Sequence, residues 1–171
     1  MPALDGNLES ALNHHVTEEL AASHRYLASS AALRELGLNG MASWMLAQSE
    51  EERAHAMKFL EHVLARHGHV KLEQIPAPPA GKQDARLIFR AALALEEATT
   101  KRIETLHGKA DKAGDVALRV FLEWFLQEQV QEEDQLRSIL DRFELAGDDK
   151  GARLIIDQEL AGRSRAPKRS D

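Results

Sequence analysis

Apolar positions recur at alternating intervals of three and four residues through most of the chain, and clusters of Gly and Pro cut that pattern into four long segments. Segment A extends from about Asp5 to Gly37, with Gly40 closing the turn; its stripe is Leu8, Leu12, His15, Glu19, Ala22, Tyr26, Ser29 and Leu33. Segment B, from about Met41 to Gly68, carries Met45, Gln48, Glu52, His55, Phe59 and His62 or Val63. Segment C, from about Asp84 to Gly114, carries Phe89, Ala92, Glu96, Thr99, Ile103, Leu106 and Ala110. Segment D, Asp115 to Gly147, carries Leu118, Phe121, Phe125, Gln129, Glu132, Leu136, Ile139 and Phe143. Strand signal is nearly absent, so the spacing predicts an all-α fold with helices of about 40 to 48 Å at 1.5 Å per residue. The A–B and C–D connections are short, which predicts two antiparallel hairpins. Between them runs HVKLEQIPAPPAGK, His69 to Lys82, polar and holding three of the five prolines; it predicts one long crossover along a four-helix bundle.

Beyond Gly147 the pattern changes. DDKGARLIIDQELAG predicts a short fifth helix over 148–162, capped by Asp148 or Asp149. Leu154, Ile155 and Leu160 need burial, which favours packing against another subunit over packing on the helix's own bundle. Residues 163–171, RSRAPKRSD, are basic and Pro-broken and read as a disordered tail after a bundle over 1–147.

Composition narrows the chemistry. The chain has no cysteine, which excludes disulfides, iron–sulfur clusters, thiolate zinc sites and thiol nucleophiles. A net charge of −6 argues against a nucleic-acid partner. The first residues, MPALDGNLES, lack the basic and apolar regions of a signal peptide, and no apolar run reaches membrane-spanning length. The expectation is a cytoplasmic protein with no membrane partner.

One feature of the stripes contradicts a plain core. Each long helix places an acid near its middle on its apolar face: Glu19, Glu52, Glu96 and Glu132. A lone buried carboxylate costs several kcal/mol and forces protonation or a partner. The stripes hold no lysines or arginines to pair four of them. A bound cation resolves the conflict, because its charge stabilises the ionised ligands. Glu52 and His55 stand at i and i+3 and project from one face, the Glu-x-x-His arrangement of di-iron and di-manganese bundles. A bridging carboxylate can hold two metal ions close together, and oxygen and imidazole donors suit iron or manganese. A single Glu-x-x-His is a common surface pattern; four acids on four core stripes are not. Counted from the A–B turn, Glu19 lies about 9 Å deeper along the bundle than Glu52.

These motifs resemble those of the non-haem ferritins along nearly the whole chain. QSEEERAHAMKFL (Gln48–Leu60) is similar to the family's second-helix motif, Glu19 precedes Tyr26 by the family's seven residues, and FLQEQVQEE (Phe125–Glu133) is similar to its fourth-helix signature. The resemblance implies a ferritin-like bundle and a ferroxidase centre that takes two Fe(II) ions and oxidises them with dioxygen or peroxide. Glu19, Glu52 and His55 would hold the first iron, with Glu52 bridging; Glu96 would hold the second, with Glu132 as a further ligand and Gln129 nearby. Tyr26 would sit beside the site as electron donor or hydrogen-bond partner. Glu51 and Glu128 match a third iron site that shares Glu132, weakened because Gln131 stands where relatives carry glutamate.

The departures are informative. Arg53 stands where the haem-binding relatives carry their haem-ligating methionine, and helix D reads Gln-x-x-Glu where they repeat Glu-x-x-His, so no haem is expected. Arg119 and Leu122 match acids of the animal ferritins' iron-entry portal, so the iron path would differ and use Asp115 or Glu123. Glu50 fits a cavity wall, but Ala54 and Met57 replace acids there. The implied assembly is a hollow 24-subunit homo-oligomer storing ferric mineral. The competing expectation is a di-iron oxygenase or rubrerythrin-type peroxidase on the same bundle, without a mineral core; the missing cysteines remove the electron-delivering unit of rubrerythrins.

Overall fold

A computed structural model describes residues 4–78 and 84–163. Five helices account for most of them: α1 (Gly6–Glu35), α2 (Asn39–Ala65), α3 (Ala85–Lys112), α4 (Val116–Ala146) and α5 (Lys150–Arg163). There is no strand among the described residues. The ends follow from local chemistry. The Asp5 carboxylate accepts from the Asn7 N–H at 2.9 Å, and Asp115 accepts from the Leu118 N–H at 3.0 Å, so each aspartate satisfies an orphan donor at a helix start. Gly114 takes φ 67° in the α3–α4 turn, a conformation that costs a glycine least.

α1 packs mainly on α2 and α3 on α4, the two predicted hairpins, while α1 also meets α3. The observed helix ends settle the depth of the acids. Glu19 is 16 residues before Glu35 and Glu52 is 13 after Asn39, so the offset shrinks to about 4.5 Å, within reach of two glutamate side chains. The crossover is described as far as Pro78. Asn13 anchors it, accepting from the Lys71 N–H at 2.8 Å and donating to the His69 carbonyl at 2.9 Å. Its last residues, 79–82, lie outside the described chain, as does the expected tail beyond Arg163.

The core divides into two apolar clusters. One holds Leu33, Met41, Met45, Phe89, Leu136 and Phe143; the other holds Leu12, Phe59, Val63, Ile103, Leu118 and Phe125. Between them lies a layer of buried polar side chains from α1 to α4.

Three expectations change. Ser30, not Ser29, turns inward and donates to the Ala42 carbonyl at 2.7 Å, and Leu122 is buried more fully than Phe121. A helix of this length drifts against a fixed repeat, so the buried register slips by one residue near its ends. α5 packs on its own bundle, chiefly on α2 and α4. Ile156 and Leu160 are buried there, while Leu154 and Ile155 stay 54% and 58% exposed. Gly40 permits this: a Cβ at that position would overlap the Asp157 carbonyl, and the Met41 N–H donates to Asp157 Oδ1 at 2.7 Å. Arg142 of α4 also pairs with Glu159 of α5.

Candidate metal centre

The polar layer is assembled from the four long helices. α1 supplies Glu19 and Tyr26, α2 Gln48, Glu52 and His55, α3 Glu96, and α4 Gln129 and Glu132. All are at least 96% buried, because each sits on its helix's inward stripe. Glu19, Glu52 and His55 offer ligand atoms that all lie within 4.8 Å of one another. His55 Nδ1 is 3.5 Å from Glu52 Oε2, and its ring stands edge-on to Phe125 and Trp124, with centroids at 5.4 and 5.9 Å. That aromatic wall sets the imidazole plane.

Glu96 and Glu132 are held from outside the trio. The Tyr26 hydroxyl donates to Glu96 Oε1, and Gln129 Nε2 donates to Glu96 Oε2 at 3.1 Å and to the Glu96 carbonyl at 3.2 Å. Gln48 Nε2 donates to Glu132 Oε2 at 2.7 Å. Gln48 carries a role that sequence reasoning missed. Its signal was present, since it stands four residues before Glu52 on the same stripe, but only the structure shows which acid it reaches.

Glu51 and Glu128 stand at the margin of the layer, partly buried. With His55 they form a second group whose ligand atoms lie within 4.8 Å of one another. His55 takes the place expected for Glu132 in that group. Gln131, Glu50 and Arg53 are exposed. The residues at the animal portal positions are an ion-paired arginine and a buried leucine, and Glu123, an expected alternative to them, is exposed. Leu122 is fully buried and lines no surface, and Arg119 pairs with Asp111 at 2.7 Å. Asp115 takes two hydrogen bonds from the buried Arg66, at 3.1 and 2.9 Å.

Electrostatics shows what the layer lacks. Burial pushes the Glu19 carboxyl up to about 7; Glu52 hydrogen-bonds against that rise, and the charge of Glu96 adds to it. Burial also raises Glu52 well above the usual carboxylate range, aided by Glu19 and Glu96, and it raises Glu96. Tyr26 rises for the same reason. Among the described residues no lysine or arginine pairs with Glu19, Glu52 or Glu96; Arg102, whose charge reaches Glu19, is engaged with Glu18 at 3.3 Å and Thr99 at 2.7 Å. Glu19 Oε2 is buried and takes no N–H donor, and the hydrogen bond of this carboxyl is to the Glu52 carboxyl. A carboxylate oxygen without an N–H donor beside a second carboxylate and an imidazole fits a hard divalent cation, whose charge reverses the upward shifts.

A layer of carboxylates and one histidine, raised by four helices in the middle of a bundle, defines a carboxylate-rich helical protein suited to divalent metal. The comparisons with known proteins agree: residues 9–146 match the Ferritin-like domain, and the chain belongs to the ferritin family. It is 34% identical over 161 residues to a bacterial non-heme ferritin of Staphylococcus haemolyticus, covering 94% of this chain and 97% of that one. The corresponding protein of Staphylococcus aureus is 31% identical over the same length. Among solved structures, an open-pore ferritin of the archaeon Archaeoglobus fulgidus superimposes with a TM-score of 0.92 at 34% identity, covering 94% of this chain and 98% of that one. An engineered closed form of the same archaeal ferritin gives 0.91 at 33% identity, covering 93% and 97%. Among the described residues no helix is long and apolar enough to cross a membrane.

Proposed function

We propose that this chain is an iron-storing ferroxidase subunit that works in the cytoplasm. Fe(II) is its substrate. The observation that carries this reading is the buried Glu19–Glu52–His55 group with its upward-shifted carboxyls and a Glu19 Oε2 that takes no N–H donor. Glu19, Glu52 and His55 take one Fe(II). Glu96 takes the second, with Glu52 bridging and Glu132 as a further ligand. Gln129 and Tyr26 hold the two carboxylate oxygens of Glu96, and Gln48 holds Glu132, so these acids present themselves in fixed orientations. Glu51 and Glu128 form a third iron position at the margin, sharing Glu132.

Binding displaces the protons that burial places on Glu19 and Glu52. Two Fe(II) then supply two electrons to one dioxygen, which leaves with two protons as hydrogen peroxide and yields two Fe(III); with peroxide as oxidant the product is water. The dry bundle excludes solvent while the carboxylates absorb the change in metal charge. Fe(III) passes to a mineral inside a homo-oligomeric shell of 24 subunits, with residues 1–147 as the bundle and 148–162 as an appended helix. The open-pore and closed archaeal forms match this subunit equally well, so the subunit fold is compatible with either shell.

The test adds Fe(II) in air to the purified protein. Oxidation well above background is expected, lost in Glu52→Ala with His55→Ala, together with elution far above subunit size. An unchanged rate in the double variant refutes the ferroxidase, and a species near subunit size refutes storage in a shell.

A further inference from the structure

His15 is the one buried histidine that the assignments above leave without a role. It lies one turn before Glu19 on α1, 3% exposed, and its Nε2 is 2.7 Å from Glu19 Oε1. The contact has the length of a hydrogen bond but not its alignment, and Nε2 has no other partner. Aligning the two takes a rotation of the ring. Phe59 limits that rotation: it packs edge-on against the imidazole, centroids 4.2 Å apart at 61°. An imidazole nitrogen 2.7 Å from a carboxylate oxygen carries its proton on the side that faces that oxygen.

A purely structural histidine here is poorly explained. A buried ring nitrogen that makes no hydrogen bond costs about 1–3 kcal/mol, and leucine or phenylalanine would fill the same wall. Nor is His15 a direct ligand in this geometry, since the close-set group holds Glu19, Glu52 and His55 without it. The two oxygens of Glu19 are thus differentiated. Oε1 faces His15, and Oε2 is buried and takes no N–H donor.

We propose that His15 is a positioning residue for the metal centre: its Nε2–H donates to Glu19 Oε1, fixes the rotation of the carboxylate, and leaves Oε2 as the single ligand atom for Fe(II). The inference rests on the metal-binding role of Glu19 proposed above. Hydrogen-bond partners of metal ligands typically change affinity by about tenfold to a hundredfold when removed. Fixing one oxygen also sets the coordination number at the first position, which a structural role in the wall would not touch.

The test uses Co(II), which oxygen does not oxidise and whose visible absorption reports its ligands and coordination number. The full-length assembled protein is titrated as wild type, Glu52→Ala, His15→Phe and His15→Gln, with helical content checked by circular dichroism. Phenylalanine keeps the ring against Phe59 without a donor; glutamine restores a donor. His15→Leu takes the place of His15→Phe if that variant does not fold. The expected result is a wild-type absorption lost in Glu52→Ala, an apparent Kd about tenfold to a hundredfold higher with an altered spectrum in His15→Phe, and near-wild-type values in His15→Gln. If wild type and His15→Phe share one Kd and one spectrum while Glu52→Ala loses both, His15 does not position Glu19 and the metal centre stands. Equal loss in the Phe and Gln variants also overturns the hydrogen-bonding role. If wild type shows no absorption that depends on Glu52, the metal centre itself is refuted, and the role of His15 with it.

Discussion

Replacing Glu19 by glutamine removes the charge while keeping the shape, and so isolates the electrostatic cost of this carboxylate in the metal-free protein. Burial raises its pKa from 4.5 to about 7. The sign follows. Below pH 4.5 the carboxyl is protonated in both folded and unfolded chains and contributes nothing against stability. Between 4.5 and 7 the folded chain keeps a proton that the unfolded chain has lost, so stability falls as pH rises through this window and levels off above it. The full gap corresponds to roughly 3 kcal/mol, or on the order of 10 °C in Tm for a chain of this size. His15 works in the opposite direction. Its depressed pKa contributes stability that is complete above 6.5 and is lost as pH falls toward about 3. The absolute stability curve therefore mixes the two, and the difference between wild type and Glu19→Gln is the quantity to measure. Chelator-treated proteins at one subunit concentration, unfolded by heat at half-unit steps from pH 4 to 8, should show Glu19→Gln gaining on wild type by about 10 °C across pH 4.5 to 7. Added Co(II) should close that gap from the wild-type side. A difference that stays flat with pH refutes the claim that Glu19 is held buried beside other acids.

Three further outcomes follow from single contacts. Asp115→Ala removes two acceptors from the buried Arg66 guanidinium and uncaps α4, so the unfolding free energy should fall by about 2–3 kcal/mol while Co(II) affinity at the centre is unchanged; chemical denaturation and titration on the same sample check both. Gly40→Ala forces α5 off α2, because the new methyl meets the Asp157 backbone; a cost of about 1–3 kcal/mol and faster hydrogen exchange confined to α5 are expected, and unchanged exchange there contradicts the packing. Tyr26→Phe removes the donor on Glu96 Oε1 and should slow Fe(II) oxidation by about tenfold without changing the number of Fe(II) bound anaerobically; an unaltered rate would show that this hydrogen bond does not shape the second position.

The helices and their inward faces were legible because a three-four repeat has one physical solution, and Phe89, Glu96, Ile103 and Ala110 all lie on the predicted face of α3. The four acids stood out because their charge contradicts the stripes that carry them. What the sequence hid was anything that depends on two helices at once. Gln48 was visible on its stripe, but its bond to Glu132 crosses from α2 to α4. His55 was paired with Glu52 by spacing, while its second grouping with Glu51 and Glu128 depends on how α4 sits against α2. Arg66, one residue past α2, had no apolar pattern to mark it as buried; its partner lies 49 residues on. The inward turn of Ile156 and Leu160 depends on Gly40, more than a hundred residues away in the chain.

The central claim is that the buried acids hold iron side by side. Crystals of the protein soaked with Fe(II) without oxygen, with diffraction measured on both sides of the iron absorption edge, test it most directly. One anomalous peak is expected within ligand distance of Glu19, Glu52 and His55, and a second at Glu96 sharing Glu52. Iron found only at the marginal Glu51 and Glu128 position, or only on the surface, would contradict it.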